Sequence, residues 1–422
     1  MVVSKGMTTY RAIIVEIQTT ELPKTNLEEI KSLAETSGAK IIEVFSQNLK
    51  QLNPATCIGK GKVEEIKAFV EKENIDAVIF DMELSPSQES NLEEELEVDI
   101  IDRTGLIIEI FAQRARTKEG KIQVDLAQLT YMLSRLKGKG IDMSRLGGGI
   151  GTRGPGEMKL ETDRRTIKDK IIKLKQELKM IEKSRDLHRK YREKKNIPQI
   201  AIAGYTNAGK STLLNLLTAS DAFVEDKLFA TLDPTTRRLK LSNGKQAIIT
   251  DTVGFIQRLP HHLVDAFKST FEEIKEADLI LHVIDISTTE FNNQTNIVKD
   301  VLKEMNAEHV PVLYVYNKID AAEIPKETFL RYPKQRPFIM MSALKGIGQD
   351  ELLKKIEELL SFFWEKLSLK IGHVDSWILS FLLSNGYIIS QEEKDDYTLI
   401  EVELPRPLAG KLKKSLKPGQ LL

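Results

Sequence analysis

Cysteine is all but absent: Cys57 stands alone among 422 residues. One thiol makes neither an internal disulfide nor a cysteine-rich zinc site, so the sequence reads as one suited to a reducing compartment. Net charge is absent as well, with 62 Lys and Arg against 62 Asp and Glu. That balance excludes a uniformly basic nucleic-acid coat and an acidic, solvating disordered chain, but not a local basic patch. No apolar run reaches the roughly 18 residues of a membrane span. The first residues lack the apolar stretch of a signal peptide, and no internal repeat is visible. What is present is a hydrophobic fraction of 41%, enough for several cores. At about 100–200 residues per domain, the length predicts two to four domains. The expectation is a multidomain chain of the cytoplasm.

Four parts are expected: 1–116, 117–196, 197–360 and 361–422. The first alternates strands (Arg11–Glu16, Lys40–Phe45, Asp76–Asp81, Val98–Asp102) with helices (Asn26–Ser37, Lys62–Glu73, Ser85–Leu96), the pattern of a small α/β layer with a mostly parallel sheet. The second has a helix over Lys121–Arg135, a glycine-rich stretch over Gly138–Gly156, and a long helix over Met158–Lys195. In that long helix Ile167, Ile171, Leu174, Leu178 and Ile181 step by four and three, a coiled-coil seam, so an antiparallel hairpin is predicted. From Lys159 to Lys195 there are 15 Lys or Arg against 7 Asp or Glu, a strongly basic segment inside a neutral whole. The third part alternates strand and helix. The fourth is predicted to be a small α+β unit, with a helix near Val374–Leu383, strands near Tyr387–Ser390 and Tyr397–Val402, and a basic helix at its end.

The third part carries the chemistry. An apolar strand, Ile200–Ala203, runs into Gly204, Tyr205, Thr206, Asn207, Ala208, Gly209, Lys210 and Ser211, and a helix follows. This is the phosphate-binding loop in its strand–loop–helix context. Its glycines let backbone N–H groups face phosphate oxygens, Lys210 reaches the β- and γ-phosphates, and Ser211 offers its hydroxyl to Mg²⁺. The strand Ala247–Thr250 ends in Asp251, Thr252, Val253 and Gly254. An acid there can bind Mg²⁺ through water, and Gly254 frees an N–H for the γ-phosphate. The strand Val312–Tyr316 ends in Asn317, Lys318, Ile319 and Asp320, and the Asp320 carboxylate can accept the N1–H and N2–H₂ donors of guanine, which adenine lacks. Phe338–Met341 leads into Ser342, Ala343 and Leu344, whose backbone can meet guanine O6. Four such elements in order, each at a strand end, predict GTP/GDP rather than ATP as the ligand. Between the phosphate loop and Asp251 lie Phe229, Ala230, Thr231, Leu232 and Asp233, a stretch in which a threonine can close on Mg²⁺. Thr231 is the first candidate and Thr235 the second, and spacing leaves the choice open. Lys210, Thr231 and Gly254 are the expected catalytic set, with Ser211 and Thr231 as metal ligands.

One group is missing. Phe255 follows Gly254 where many GTPases place a glutamine that orients the attacking water. Slow intrinsic hydrolysis is therefore expected, with a partner that completes the site or orders its loops. Asn207 leaves two readings open: a hold on a monovalent cation such as K⁺, or hydrogen bonds within the loop itself.

The sequence resembles the HflX-type GTPases of the translation-factor-related P-loop class. The resemblance rests on Gly204–Ser211, Phe229–Thr235, Asp251–Phe255 and the following Leu259, Pro260 and His261. Outside the GTPase part it rests on Glu83–Gln88, Asp102–Gly105, Ile110–Ala115, Gly151–Glu157 and Glu161–Arg165. It covers about residues 8–360 and departs from the family pattern at Lys137–Gly148. It implies a Mg²⁺-dependent GTP hydrolase that binds the large ribosomal subunit and its RNA, splits or rescues stalled ribosomes under stress, and is stimulated by the ribosome. The glycine-rich loop would reach toward the peptidyl-transferase centre. A monomer in the cytoplasm is expected, with peripheral attachment at the membrane as a variant. A ribosome-assembly GTPase and a nucleotide-gated regulatory module are the alternatives. Some family members bind ATP in the N-terminal region, and Gly59–Lys62 is a weak candidate for that; a helix-start turn is the plainer reading. Phe362, Phe363 and Trp364 are expected to pack the last part onto the GTPase helix, and Cys57 to be a buried or neutral thiol.

Overall fold

The computed structural model describes residues 9–19, 26–146, 155–194, 197–218, 228–229, 231–258, 263, 268–322 and 337–422. Two compact units emerge. The first gathers 1–183 with 225–233 and 258–269; the second gathers 184–224, 234–257 and 270–422.

In the first unit β1 (Tyr10–Thr19), α1 (Leu27–Ser37), β2 (Ala39–Leu49), α2 (Lys60–Glu73), β3 (Ala77–Phe80), α3 (Pro86–Leu96) and β4 (Asp99–Asp102) alternate as the sequence predicts. The four strands form a parallel sheet in the order β2-β1-β3-β4. All four residues of β3 are buried, as befits a central parallel strand covered on both faces. Local chemistry sets the helix ends. Asn26 caps α1 through Glu29 N, and Gly38 closes it in a left-handed turn. Ser85 and Gln88 form a reciprocal capping box, with Pro86 opening α3. Gly59 caps α2, its N–H bonded to Gln47 Oε1, while Lys62 pairs with Glu65; a helix-start turn describes this segment. Cys57 is fully buried among apolar neighbours, and burial pushes its thiol up to about 12, so it is neutral.

A helix not anticipated from the sequence, α4 (Arg103–Arg114), follows β4 directly. Asp102 caps it through Gly105 N and also accepts from Leu84 N, Tyr131 Oη and Arg135 Nη2. One buried carboxylate thus ties the sheet edge to the next helix. That helix, α5, spans Lys118–Leu146, so the glycine-rich stretch expected to loop from Gly138 begins inside a helix; residues 147–154 lie outside the described residues. Its partner α6 spans Pro155–Lys194. Ile122 and Leu126 of α5 pack with Leu178 of α6, flanked by Ile171, Leu174 and Ile181, which is the predicted seam of an antiparallel hairpin.

The second unit is built on a six-stranded sheet. Its elements are β5 (Gln199–Gly204), α7 (Lys210–Thr218), β6 (Thr235–Lys240), β7 (Gln246–Asp251), α8 (Lys268–Lys275, whose last residues fall here), β8 (Leu279–Asp285), α9 (Phe291–Glu304), β9 (Val312–Asn317), β10 (Phe338–Met340) and α10 (Gln349–Leu360). Strand order is β10-β9-β8-β5-β7-β6, parallel except for the β6–β7 hairpin. Three further strands, β11 (Trp364–Gly372), β12 (Tyr387–Glu393) and β13 (Tyr397–Pro405), form an antiparallel sheet in the order β11-β13-β12, with α11 (Ser376–Asn385) and α12 (Arg406–Ser415). The strand β11 was not anticipated. Trp364 joins the GTPase core and Phe363 packs against it, as expected, whereas Phe362 is half exposed. No helix among the described residues is long and apolar enough to cross a membrane.

Candidate nucleotide site

Strands β5, β7, β9 and β10 are parallel and end together, so the predicted motifs meet along one sheet edge, where open α/β sheets bind ligands. The phosphate loop leaves β5 at Gly204 and enters α7 at Lys210. Gly209 sits at φ +92, and a Cβ there would collide with Asn317 Nδ2, so only glycine fits. Asn207 also has positive φ, at 60.

Asn317 is the hinge pin of the site. It is 2% exposed, donates from Nδ2 to Ala208 O at 2.9 Å, and accepts at Oδ1 from Ala343 N at 2.9 Å. Its side chain therefore staples the phosphate loop to the loop after β10. The Ala343 N–H, read from the sequence as a group for the base, is committed to Asn317 in this arrangement, while Leu344 is exposed. Asp320 is held by the Ser342 hydroxyl and lies 3.8 Å from Lys345 Nζ; these contacts, the Ser342 bond foremost, hold its carboxyl below the usual carboxylate range. It is thus poised as an anionic acceptor. Lys318, at φ 64, is anchored by Asp285 at 2.8 Å. Sequence reasoning missed Asp285 and Lys345. Asp285 ends the neighbouring strand β8, and its position at a strand end was the only available signal.

At the phosphate side, the Ser211 hydroxyl donates to Asp251 Oδ2 at 2.7 Å. Asp251 is 1% exposed. A hydroxyl and a buried carboxylate side by side are hard oxygen donors, the set that suits Mg²⁺. Lys210 is buried, donates to Tyr205 O at 2.8 Å, and burial lowers its ammonium to about 8, with Asp251 opposing the shift. Thr252 is buried and donates to Ile202 O, so it braces β5 against the end of β7. Val253 is buried beside it. A Cβ built on Gly254 would lie 2.8 Å from Thr206 Cγ2 and 2.9 Å from Lys210 Nζ, so this glycine packs directly on the phosphate loop.

Phe255 has no access to the phosphates. It is fully buried, stacks on Phe271 with centroids 5.7 Å apart and planes at 9°, and its backbone pairs with the end of β5. The position of the absent glutamine is a core position.

The remaining predicted stretch belongs to the first unit. Phe229 packs edge-on against Phe111 at 4.7 Å. The Asp233 carboxylate accepts from Arg116 N, Thr117 N and Thr117 Oγ1, at the start of α5. Leu232 is buried and Thr231 half-buried; Ala230, Leu259, Pro260 and His261 lie outside the described residues. Thr235 opens β6 opposite Asp251.

Three family models match in succession: a GTP-binding GTPase N-terminal region over 24–112, a GTP-binding GTPase middle region over 114–192, and a 50S ribosome-binding GTPase over 199–318. The GTPase HflX of Caldanaerobacter subterraneus is 48% identical over 403 residues, 96% of this chain and 93% of that protein. The chain belongs to the HflX family of GTPases. The Escherichia coli GTPase HflX is 42% identical over 353 residues, 83% of each chain. A GTP-binding protein from Sulfolobus solfataricus, solved with GDP, is 27% identical, with a TM-score of 0.46 over 84% of this chain and 99% of that one. The HflX assignment accounts for the first unit as well as the GTPase part, since the N-terminal and middle models span β2 to β4, nearly all of α4 and the hairpin up to residue 192.

Proposed function

We propose that this HflX-family GTPase binds the large ribosomal subunit in its GTP form, splits or rescues stalled ribosomes, and leaves after ribosome-stimulated hydrolysis to GDP and phosphate. The observation that carries this reading is the withdrawal of Phe255 into the core. A site whose motifs offer donors for phosphate, base and metal, but no glutamine at that position, suits a switch that waits for a partner. The basic helix α6, beside its glycine-rich neighbour, supplies electrostatic affinity for an RNA backbone. Mg²⁺ would be held by Ser211 directly and by Asp251 through water. Thr231 is assigned as the third donor from its motif alone. Mg²⁺ would draw charge from the β- and γ-phosphates; Lys210 neutralises the same oxygens as a point charge, Gly254 N–H reads the γ-phosphate, and Asn317 and Asp320 fix the base. Asn207 is the residue that would hold K⁺. The protein is read as a cytoplasmic monomer.

The test is a sucrose-gradient analysis of intact ribosomes with the protein bound to GDP, GTP or a non-hydrolysable analogue. The reading expects the analogue form to co-sediment with large subunits and to shift intact ribosomes toward free subunits, and the GDP form to do neither. Accumulation of precursor subunits on depletion, without splitting in vitro, would favour ribosome assembly instead.

A further inference from the structure

Thr206 is a threonine in a loop that binds phosphate through its backbone, and its side chain has no evident structural use. The residue is 6% exposed, and its hydroxyl oxygen is buried with no hydrogen-bond partner among the described residues. A buried hydroxyl left unpaired carries a desolvation penalty that valine, of the same shape, would not. The surrounding geometry leaves it little freedom. Thr206 N donates to Phe255 O at 2.8 Å, and Phe255 N donates to Gly204 O at 3.1 Å, so the end of β5 and the segment after Gly254 are zipped together. Tyr205 adds a bond from Gln257 N to its hydroxyl at 2.8 Å. Thr206 is the residue at which the two strands part. Its Cγ2 and Cα lie 2.8 and 2.9 Å from the point a Gly254 Cβ would occupy, and Lys210 Nζ lies 2.9 Å from the same point. The orphaned hydroxyl therefore belongs to a side chain that packs, like the lysine assigned to the β- and γ-phosphates, against the glycine assigned to the γ-phosphate.

We propose that the Thr206 hydroxyl is the group that holds the attacking water for GTP hydrolysis. This rests on the nucleotide assignment above and supplies from the same chain what Phe255 cannot. The hydroxyl accepts a hydrogen bond from the water and donates one to a γ-phosphate oxygen. The water oxygen forms the new bond to the γ-phosphorus, the bond from that phosphorus to the β,γ-bridging oxygen breaks, and its electron pair leaves with GDP. The water's proton ends on the released phosphate, and Thr206 is unchanged. In the arrangement described here the hydroxyl is buried while Gly254 packs on the Thr206 methyl and Cα, so a shift of Gly254 toward the γ-phosphate would open the Thr206 side chain to the water and to the phosphate oxygens. Hydrolysis is thereby coupled to the same loop that a ribosomal partner would order.

The test uses the full chain with Thr206→Val, which removes only the hydroxyl, and Thr206→Ser, which keeps it. Single-turnover hydrolysis by the protein alone, at saturating GTP and Mg²⁺, is read beside GTP and GDP affinities and the melting temperature of the nucleotide-free protein. Because no ribosome is present, failure of the ribosome reading would not affect this result. The valine variant is expected to hydrolyse GTP at least about tenfold more slowly, the scale of one lost positioning group. Its affinities should hold and its melting temperature should equal or exceed that of the parent. The serine variant should keep a rate within a few-fold. A valine variant at the parent's rate would overturn the proposal. So would one whose GTP affinity falls in step with its rate, since that would make the hydroxyl a ground-state ligand, or one whose melting temperature drops, since that would make it structural.

Discussion

Replacing Asn317 by alanine should damage the protein before any nucleotide is added. The side chain makes two hydrogen bonds, each of 2.9 Å, to Ala208 O and Ala343 N. Both partner residues are buried, Ala208 at 0% and Ala343 at 4% exposure. Asn317→Ala deletes both bonds and strands both backbone groups. An orphaned buried polar group costs about 1–3 kcal/mol, so two give about 2–4 kcal/mol once partial relaxation is allowed. For a unit of this size, about 2–4 °C of melting temperature goes with each kcal/mol. The expected fall is therefore about 5–15 °C for the GTPase unit, read by thermal denaturation of nucleotide-free protein. Asp320→Asn is the control: the amide matches the carboxylate in shape and its oxygen can still accept the Ser342 hydroxyl, so the melting temperature should fall much less than in Asn317→Ala. If Asn317→Ala melts with the parent, the side chain is not the staple described here, and its role would be confined to the base.

Asp320→Asn should instead change the ligand: GTP binding weakens and xanthosine triphosphate is admitted, since the amide presents a donor where the carboxylate accepted. Unaltered guanine preference in competition binding would remove the role given to Asp320. His282, fully buried on β8, has its ring lowered to about 3, chiefly by burial and then by Lys299 and Lys210. Its folded value lies below the unfolded value near 6.5, so its contribution is whole above pH 6.5 and lost as pH falls toward 3. At 1.36 kcal/mol per unit, about 2 kcal/mol goes between pH 7 and 5, and His282→Leu should flatten that part of the stability–pH curve. Arg103, 4% exposed, pairs with buried Asp81 and Glu29. Arg103→Met strands two buried carboxylates and should cost about 3–5 kcal/mol in denaturant unfolding. Changing Glu29 and Asp81 to leucine as well should recover most of it.

The nucleotide motifs were legible because each is local: a few residues at one strand end carry their own chemistry, as Gly204–Ser211 and Asn317–Asp320 do. The alternating strands and helices of the first sheet were legible for the same reason, with α1 and α3 beginning within one residue of their expected starts. What escaped was set by tertiary context. In α4, the run Leu106–Phe111 is apolar on nearly every side, because the helix is buried almost all round, and such a run has no readable period. In β11, Leu367, Leu369 and Ile371 do alternate with Ser368 and Lys370, but the paired Glu365 and Lys366 break that period near its start, and only a short turn, Ser361–Phe363, parts it from α10. The roles of Asp233 and Asn317 depend on partners far along the chain, Thr117 and Ala343 among them, and no local window contains both ends. Phe255 showed the reverse. Its identity alone announced a missing group, and the structure supplied the reason, a place in the core against Phe271.

If nucleotide hydrolysis waits for the ribosome, as proposed, the decisive experiment is GTP hydrolysis with and without purified large ribosomal subunits, in the full chain and in a variant lacking Gly138–Gly156. Subunits should stimulate the full chain strongly, and the stimulation should collapse in the deletion. Equal rates with and without subunits or intact ribosomes would refute ribosome activation and leave a GTPase with some other activator.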